Sequence, residues 1–342
     1  MPGTGAAPAE ADQILAICLP GEAAVALCDF NSATGTLAMT QKQRLPGVED
    51  DCRGVPMAAN ADGTRLYVAW RGADTRLFSF ALDGRARRLD LLGEASLPAS
   101  MCYATLAARG RRLLTSSFTG STIAMSPVDS DGRVGEPLMV REAMHVHCLI
   151  EAPNGLVYAT SLRGDFIQSY AFDESCADLT PVARCDMPSG SGPRHLVFTA
   201  DGRTAFLLSE YAGSLTRLDV DPRTGALAPV QTVDLLPEGE KAWAAELRLS
   251  PDERLLYASE RNTSRLFGFR LDAERRMLPA GAEAAPRCPR AFGFDRTGAY
   301  LVALGEESGE ARLYRVAPDG RIAPGVELPV GTAPSWVVAA AV

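Results

Sequence analysis

Lysine is almost missing from this chain: of 34 basic residues, only Lys42 and Lys241 are not arginine. Basic charge is also outweighed, with a formal net charge of −8. That balance argues against a nucleic-acid surface, which needs a basic stripe. No apolar run approaches the roughly 20 residues of a membrane span. The opening segment, MPGTGAAPAEADQ, has neither a basic start nor an apolar stretch, so no secretory signal is expected there. Residues 1–11 read as a flexible lead, and the chain as cytoplasmic. The eight cysteines are scattered, with no CxxC and no zinc-like spacing. They read as free thiols of a reducing compartment rather than as a disulfide framework. Long amphipathic helical stretches are absent as well. Histidine is scarce: His145, His147 and His195 are all there are.

What the chain has is a repeat. A strand-like run, a tight turn and a second run recur along it, as PMAANADGTRLYVAW from Pro56, MCYATLAARGRRLLTSS from Met101 and HVHCLIEAPNGLVYATS from His145. The series continues as PRHLVFTADGRTAFLLS from Pro193, WAAELRLSPDERLLYAS from Trp243 and PRAFGFDRTGAYLVAL from Pro289. The period is roughly 44–50 residues, the range of a propeller blade. A third run follows each pair, such as Leu77 to Phe80 or Leu266 to Phe269, and then a turn carrying Asp and Gly. Asp62-Gly63 and Asp201-Gly202 supply the reversal between the first two runs. Four short antiparallel strands per unit, repeated radially, predict an all-β, seven-bladed β-propeller.

The two ends complete the count. Ile14-Leu15-Ala16-Ile17 resembles a second strand with no first strand before it. APSWVVAAAV, at 333–342, resembles a first strand with no second strand after it. Joined, they make a seventh blade that closes the ring and hides both sheet edges. Residues 12–342 are therefore expected to form a single propeller domain.

In a propeller the first strand of each blade lines the central channel. With the units aligned on their turns, one channel column holds His147, Arg194 and Arg290, against Val55, Cys102, Ala245 and Ser335 in the other blades. A purely structural channel does not require three cationic or titratable side chains. His145, two residues before His147, shares its face if the strand is regular. His195, next to Arg194, should point the other way, into a blade-to-blade contact. A second column lies at the end of the second strand, with Glu210 after Ser209 and Arg261 after Glu260. These ends return toward the same mouth, although an inter-blade ion pair would explain them equally well. Glu246, in WAAEL, is placed to hold an arginine.

The strings GPRHLVF at 192–198, SEY at 209–211, WAAELRLSPDERLLYASER at 243–261, PRAFGF at 289–294 and APSWVV near the end resemble the seven-bladed β-propeller lactonase family. That family has sugar-acid lactonases among its members and is similar to a fungal carboxy-muconate lactonizing enzyme. By this resemblance His147, Arg194, Glu210 and Arg261 match the positions used for catalysis and for gripping the acid. Arg290 matches the arginine of the family's PRGF motif, whose glycine is Ala291 here. His195, His145 and Glu246 complete the expected substrate-binding set. Cys18, Cys28, Cys102 and the extra histidine of MHVHC depart from the pattern.

The resemblance implies metal-independent, cofactor-free opening of a sugar-acid lactone, with 6-phosphogluconolactone as first candidate. Such a reaction needs a base for water, positive charge for the oxyanion and an acid for the leaving alcohol. Glu210 is expected as base with His147 as acid or partner, and the arginines as the anion clamp. The same groups would serve a lactonizing cycloisomerase acting on a polyacid. A non-catalytic binding propeller is the reading from another class. The expected partner is a small anionic lactone, with neither nucleic acid nor membrane, and the expected assembly is a monomer or weak homodimer.

Overall fold

The computed structural model describes residues 11–342, so the expected lead falls, apart from Ala11, outside the described residues. Twenty-eight strands form seven four-stranded antiparallel sheets. Among the described residues there is no α-helix, only two 3-10 turns at Pro20–Glu22 and Ala108–Gly110. No helix is long and apolar enough to cross a membrane. Six sheets are meanders of consecutive strands. Their inner strands are β4 (Met57–Ala59), β8 (Tyr103–Ala107), β12 (Val146–Glu151), β16 (Pro193–Phe198), β20 (Ala244–Leu249) and β24 (Pro289–Phe294).

The seventh sheet runs from β28 (Trp336–Ala341) to β1 (Gln13–Leu19), then to β2 (Ala24–Asn31) and β3 (Thr36–Arg44). Gln13 lies opposite Ala341 and Cys18 opposite Trp336, so the two ends of the chain pair as expected. Gln13 also ties this blade to its neighbour: its amide donates to Asp295 at 3.0 Å and accepts from the Arg296 N–H at 2.8 Å.

The repeat has a local cause. In all seven blades the turn between third and fourth strands is an Asx turn. Asn31, Asp83, Asp129, Asp173, Asp221, Asp272 and Asp319 each accept a backbone N–H two or three residues on. Burial then falls outward. Every residue of β1 is buried, whereas β3 exposes most of its length. Adjacent sheets pack face to face. Leu15, Ile17 and Phe30 of the closing blade meet Val302, Leu304 and Leu313 of the preceding one.

The inner strands share one irregularity that matters for function. Register shifts between Val146 and Leu149, Pro193 and His195, Ala244 and Leu247, and Pro289 and Ala291. Each shift is a β-bulge at the channel mouth, a device that re-aims side chains. The bulged residues include His147, Arg194, Glu246 and Arg290, so the channel column read from the repeat coincides with the bulges.

Candidate active site

The bulges need backbone partners, and hydroxyls on the second strands provide them. Ser116 of β9 (Arg112–Ser117) donates to the His147 carbonyl at 2.9 Å. Thr160 of β13 (Val157–Ser161) accepts from the Cys148 N–H at 3.1 Å and donates to the Arg194 carbonyl at 2.7 Å, joining two blades. Ser335, just before the inner strand of the closing blade, donates to the Val55 carbonyl at 2.9 Å and so joins that blade to the next.

On this frame the mouth gathers charge. Glu210 follows β17 (Thr204–Ser209), and Arg261 follows β21 (Leu255–Glu260). One Glu210 oxygen accepts from Arg194 Nε at 2.8 Å. The other meets Arg261 Nη2 at 3.1 Å and the Trp243 indole N–H at 3.0 Å. All three charged side chains are buried. Burial alone would raise the Glu210 pKa, but Arg194, Arg261 and Arg290 together hold it below the ordinary carboxylate value. Arg261 also donates to the Trp243 and Ala244 carbonyls, both at 3.0 Å, and lies over the Trp243 ring at 3.8 Å. Burial and the neighbouring Arg194 pull its pKa down to about 9, which leaves it charged at neutral pH.

The inter-blade ion pair weighed from sequence is thus real, and it has an edge left over. Among the described residues, neither Arg194 Nη2 nor Arg261 Nη1 has a protein acceptor.

His195 makes the blade-to-blade contact expected of it, to Glu246 of the next blade, but it does not point away from the channel. The bulge at Arg194 breaks the alternation, and His195 also faces the channel. Its ring stands 5.1 Å from His147, 5.3 Å from Tyr103 and 6.5 Å from Trp336. Nδ1 meets Glu246 at 2.8 Å and Nε2 meets Arg194 Nη1 at 2.9 Å. A guanidinium only donates, so Nε2 is the acceptor and His195 is a neutral imidazole carrying its proton on Nδ1. Burial and Arg194 lower its pKa accordingly, although Glu246 opposes them. Glu246 in turn stays ionised; burial would raise its pKa, but Arg248 and His195 lower it. Glu246 therefore holds an arginine as expected, Arg248 at 3.5 Å, and through His195 it also reaches Arg194.

His145 is also misplaced by the regular-strand reading. It precedes β12 with φ of +46°, and its half-buried ring packs beside Phe118 at 5.5 Å. The left-handed backbone takes it off the His147 face.

His147 itself is buried, and its Nδ1 has no hydrogen-bond partner. Burial first, then Arg194, His195, Arg290 and Arg261, keep its pKa well below the ordinary value, so it is neutral at pH 7. Arg290 closes the far side of the mouth, 3.9 Å from Glu306. Below the mouth, Tyr103, His195 and Trp336 meet edge-on or tilted across the channel, with Tyr103 and Trp336 5.8 Å apart. The same two aromatics line a cavity of about 420 Å³ at the opposite end, with Arg248 and Arg296. These rings thus lie between that cavity and the residues of the mouth.

Sequence reasoning missed several of these groups. Arg71 follows β5 (Arg65–Trp70) and Glu306 follows β25 (Tyr300–Gly305), the same column that yielded Glu210 and Arg261. Reading that column round the whole ring would have found both. The Trp243 contact and the Tyr103 and Trp336 plug had no signal beyond being aromatic. Among the described residues no cluster of three or more His, Cys, Asp or Glu is arranged to hold a metal.

A closed seven-bladed ring thus carries at its mouth a buried imidazole whose Nδ1 has no hydrogen-bond partner, set among guanidiniums. The chain belongs to the family of seven-bladed β-propeller lactonases, whose model matches residues 21–339. The 6-phosphogluconolactonase of Pectobacterium atrosepticum is 32% identical over 313 residues, covering 89% of this chain and 92% of that one. The 6-phosphogluconolactonase of Erwinia tasmaniensis is 31% identical over 312 residues, with the same two coverages of 89% and 92%. The periplasmic gluconolactonase of Pseudomonas aeruginosa shares the fold at a TM-score of 0.85 and 24% identity, over 96% of this chain and 99% of that one.

Proposed function

We propose that this chain hydrolyses a phosphorylated sugar-acid lactone, 6-phosphogluconolactone foremost, at the mouth formed by His147, Arg194, Glu210 and Arg261. The observation that carries this reading is the free, buried Nδ1 of a neutral His147 beside guanidinium edges that lack protein acceptors. Water delivers a proton to Nδ1 while its oxygen adds to the lactone carbonyl. Arg194 Nη2 and Arg261 Nη1 stabilise the oxyanion. The intermediate collapses by breaking the ring C–O bond, and the imidazolium returns its proton to the departing alkoxide. The cations that keep His147 neutral make that imidazolium a strong acid for this last step.

Glu210 is better suited to position than to accept a proton. Three donors already occupy its two oxygens, and its basicity is lowered. We assign it to aiming Arg194 and Arg261. Glu246 and His195 form a chain behind Arg194 and act as positioning residues. His145 stands outside this machinery. The eight cysteines are all free thiols, which supports a reducing, cytoplasmic setting.

The test is proton release from 6-phosphoglucono-δ-lactone and from glucono-δ-lactone in weak buffer, each against spontaneous opening. Acceleration of the phosphorylated lactone well beyond the unphosphorylated one is the expected result. No acceleration of either would overturn the reading.

A further inference from the structure

We infer that Arg71, together with Arg290, forms the subsite that receives the phosphate of the substrate; this rests on the lactonase reading above. Arg71 lies at the mouth on the second blade. Its Nε donates to the Ser100 hydroxyl at 3.0 Å and its Nη1 to the Gly54 carbonyl at 3.0 Å. These neutral partners fix its direction without cancelling its charge. Among the described residues no carboxylate lies within ion-pair distance of it, and its Nη2 has no acceptor.

Arg290 approaches the same backbone from the other side. A methyl group on Gly54 would collide with the Arg290 guanidinium, so Gly54, with φ of +65°, is held between the two arginines. Among the described residues the Arg290 side chain has no hydrogen-bond acceptor, and its one ion-pair partner is Glu306, at 3.9 Å. Burial raises the pKa of the Cys102 thiol, against the opposing charges of Arg71, Arg194 and Arg290.

Charge and placement then favour a dianion. Four arginines, at 71, 194, 261 and 290, meet two carboxylates, Glu210 and Glu306, in this mouth. Glu210 is shared by Arg194 and Arg261. Glu306 is shared in the same way by Arg290 and, at longer range, Arg71, so one positive charge is left over on each side of the mouth, and among the described residues Arg71 has no carboxylate within ion-pair distance. A phosphomonoester carries close to two negative charges at neutral pH and takes planar guanidinium forks. In ring order Arg290 and Arg71 flank the closing blade, whereas His147 and Arg194 come from the fourth and fifth blades, across the channel. In the δ-lactone the carbonyl carbon and C5 flank the ring oxygen, and the phosphate hangs from C5 on a one-carbon arm. One such molecule sets its carbonyl at His147 and turns that arm toward Arg71 and Arg290.

The experiment compares kcat/KM for 6-phosphoglucono-δ-lactone and glucono-δ-lactone in wild type, Arg71→Gln and Arg71→Lys. A lost charge-assisted hydrogen bond corresponds to about ten- to a hundredfold. The phosphorylated-to-unphosphorylated ratio is expected to fall by about that factor in Arg71→Gln, mainly through KM, and to recover partly in Arg71→Lys. A parallel fall for both lactones, with the ratio unchanged, would overturn the assignment. Calorimetric titration with inorganic phosphate decides the subsite independently of catalysis. Binding by wild type that is lost in Arg71→Gln supports it even if neither lactone is opened. Equal binding by both proteins, or none by wild type, refutes it.

Discussion

Replacing Glu210 by Ala is expected to strip two buried guanidiniums of their shared counter-ion. Arg194 and Arg261 are 3% and 4% exposed, so water cannot take over the role of the carboxylate without rearrangement. The bonds lost are those from Arg194 Nε at 2.8 Å and from the Trp243 indole at 3.0 Å, and the Arg261 contact at 3.1 Å. Breaking a buried ion pair by removing one partner destabilises by about 3–5 kcal/mol. The half-exposed pair of Lys42 with Glu22, 2.8 Å apart, is the internal comparison. Truncating Lys42 to Ala should cost no more than about 1 kcal/mol. Guanidinium chloride unfolding of both variants, read by tryptophan fluorescence and far-ultraviolet dichroism, measures the difference. The double variant Glu210→Ala/Arg194→Ala should show coupling of about 1–3 kcal/mol rather than additivity. A Glu210→Ala cost below about 1 kcal/mol would refute the claim that this carboxylate holds the mouth together.

Three further outcomes follow from the same geometry. His147 and His195 have folded pKa values below their unfolded value of about 6.5, so the unfolded state takes up protons first as pH falls. Stability should therefore be fully present above pH 6.5 and decline below it, by up to about 1.4 kcal/mol per pH unit for each histidine; a flat profile between pH 7.5 and 5 would contradict this. Thr160→Val leaves the buried Cys148 N–H and Arg194 carbonyl each short of a hydroxyl, so a loss of about 1–3 kcal/mol is expected by denaturant titration, together with a lower kcat. Deleting 336–342 removes β28, bares the β1 edge and unplugs the channel, so the whole ring and not merely its tail should lose protection in hydrogen exchange.

Much of this fold was written in local chemistry. The Asx turns recur once per blade because a short acidic or amide side chain can close its own turn, and that regularity is visible in the sequence. The closing blade was equally legible, since each end lacked the strand that the other supplied. The candidate site was legible only where the repeat broke its pattern in the first-strand column. Side-chain direction was not. Period-two alternation gave His195 its neighbour-blade contact but took it out of the channel, because a bulge inserts a residue and leaves no mark on hydrophobic pattern. His145 failed for a related reason, a left-handed backbone at a non-glycine residue. Arg71 was in plain view but stood in a column inspected in only two blades. Proposing His147 rather than Glu210 as the base needed distances, because only they reveal which lone pairs are already taken.

The account stands or falls on whether His147 performs the proton transfer. The decisive measurement is kcat/KM for opening 6-phosphoglucono-δ-lactone by wild type and by His147→Ala, at pH 7 and above the spontaneous rate. Loss of a general base should lower it by about 10²–10⁴-fold with the far-ultraviolet spectrum unchanged. A variant that retains wild-type kcat/KM would contradict the account and leave His147 a buried structural residue.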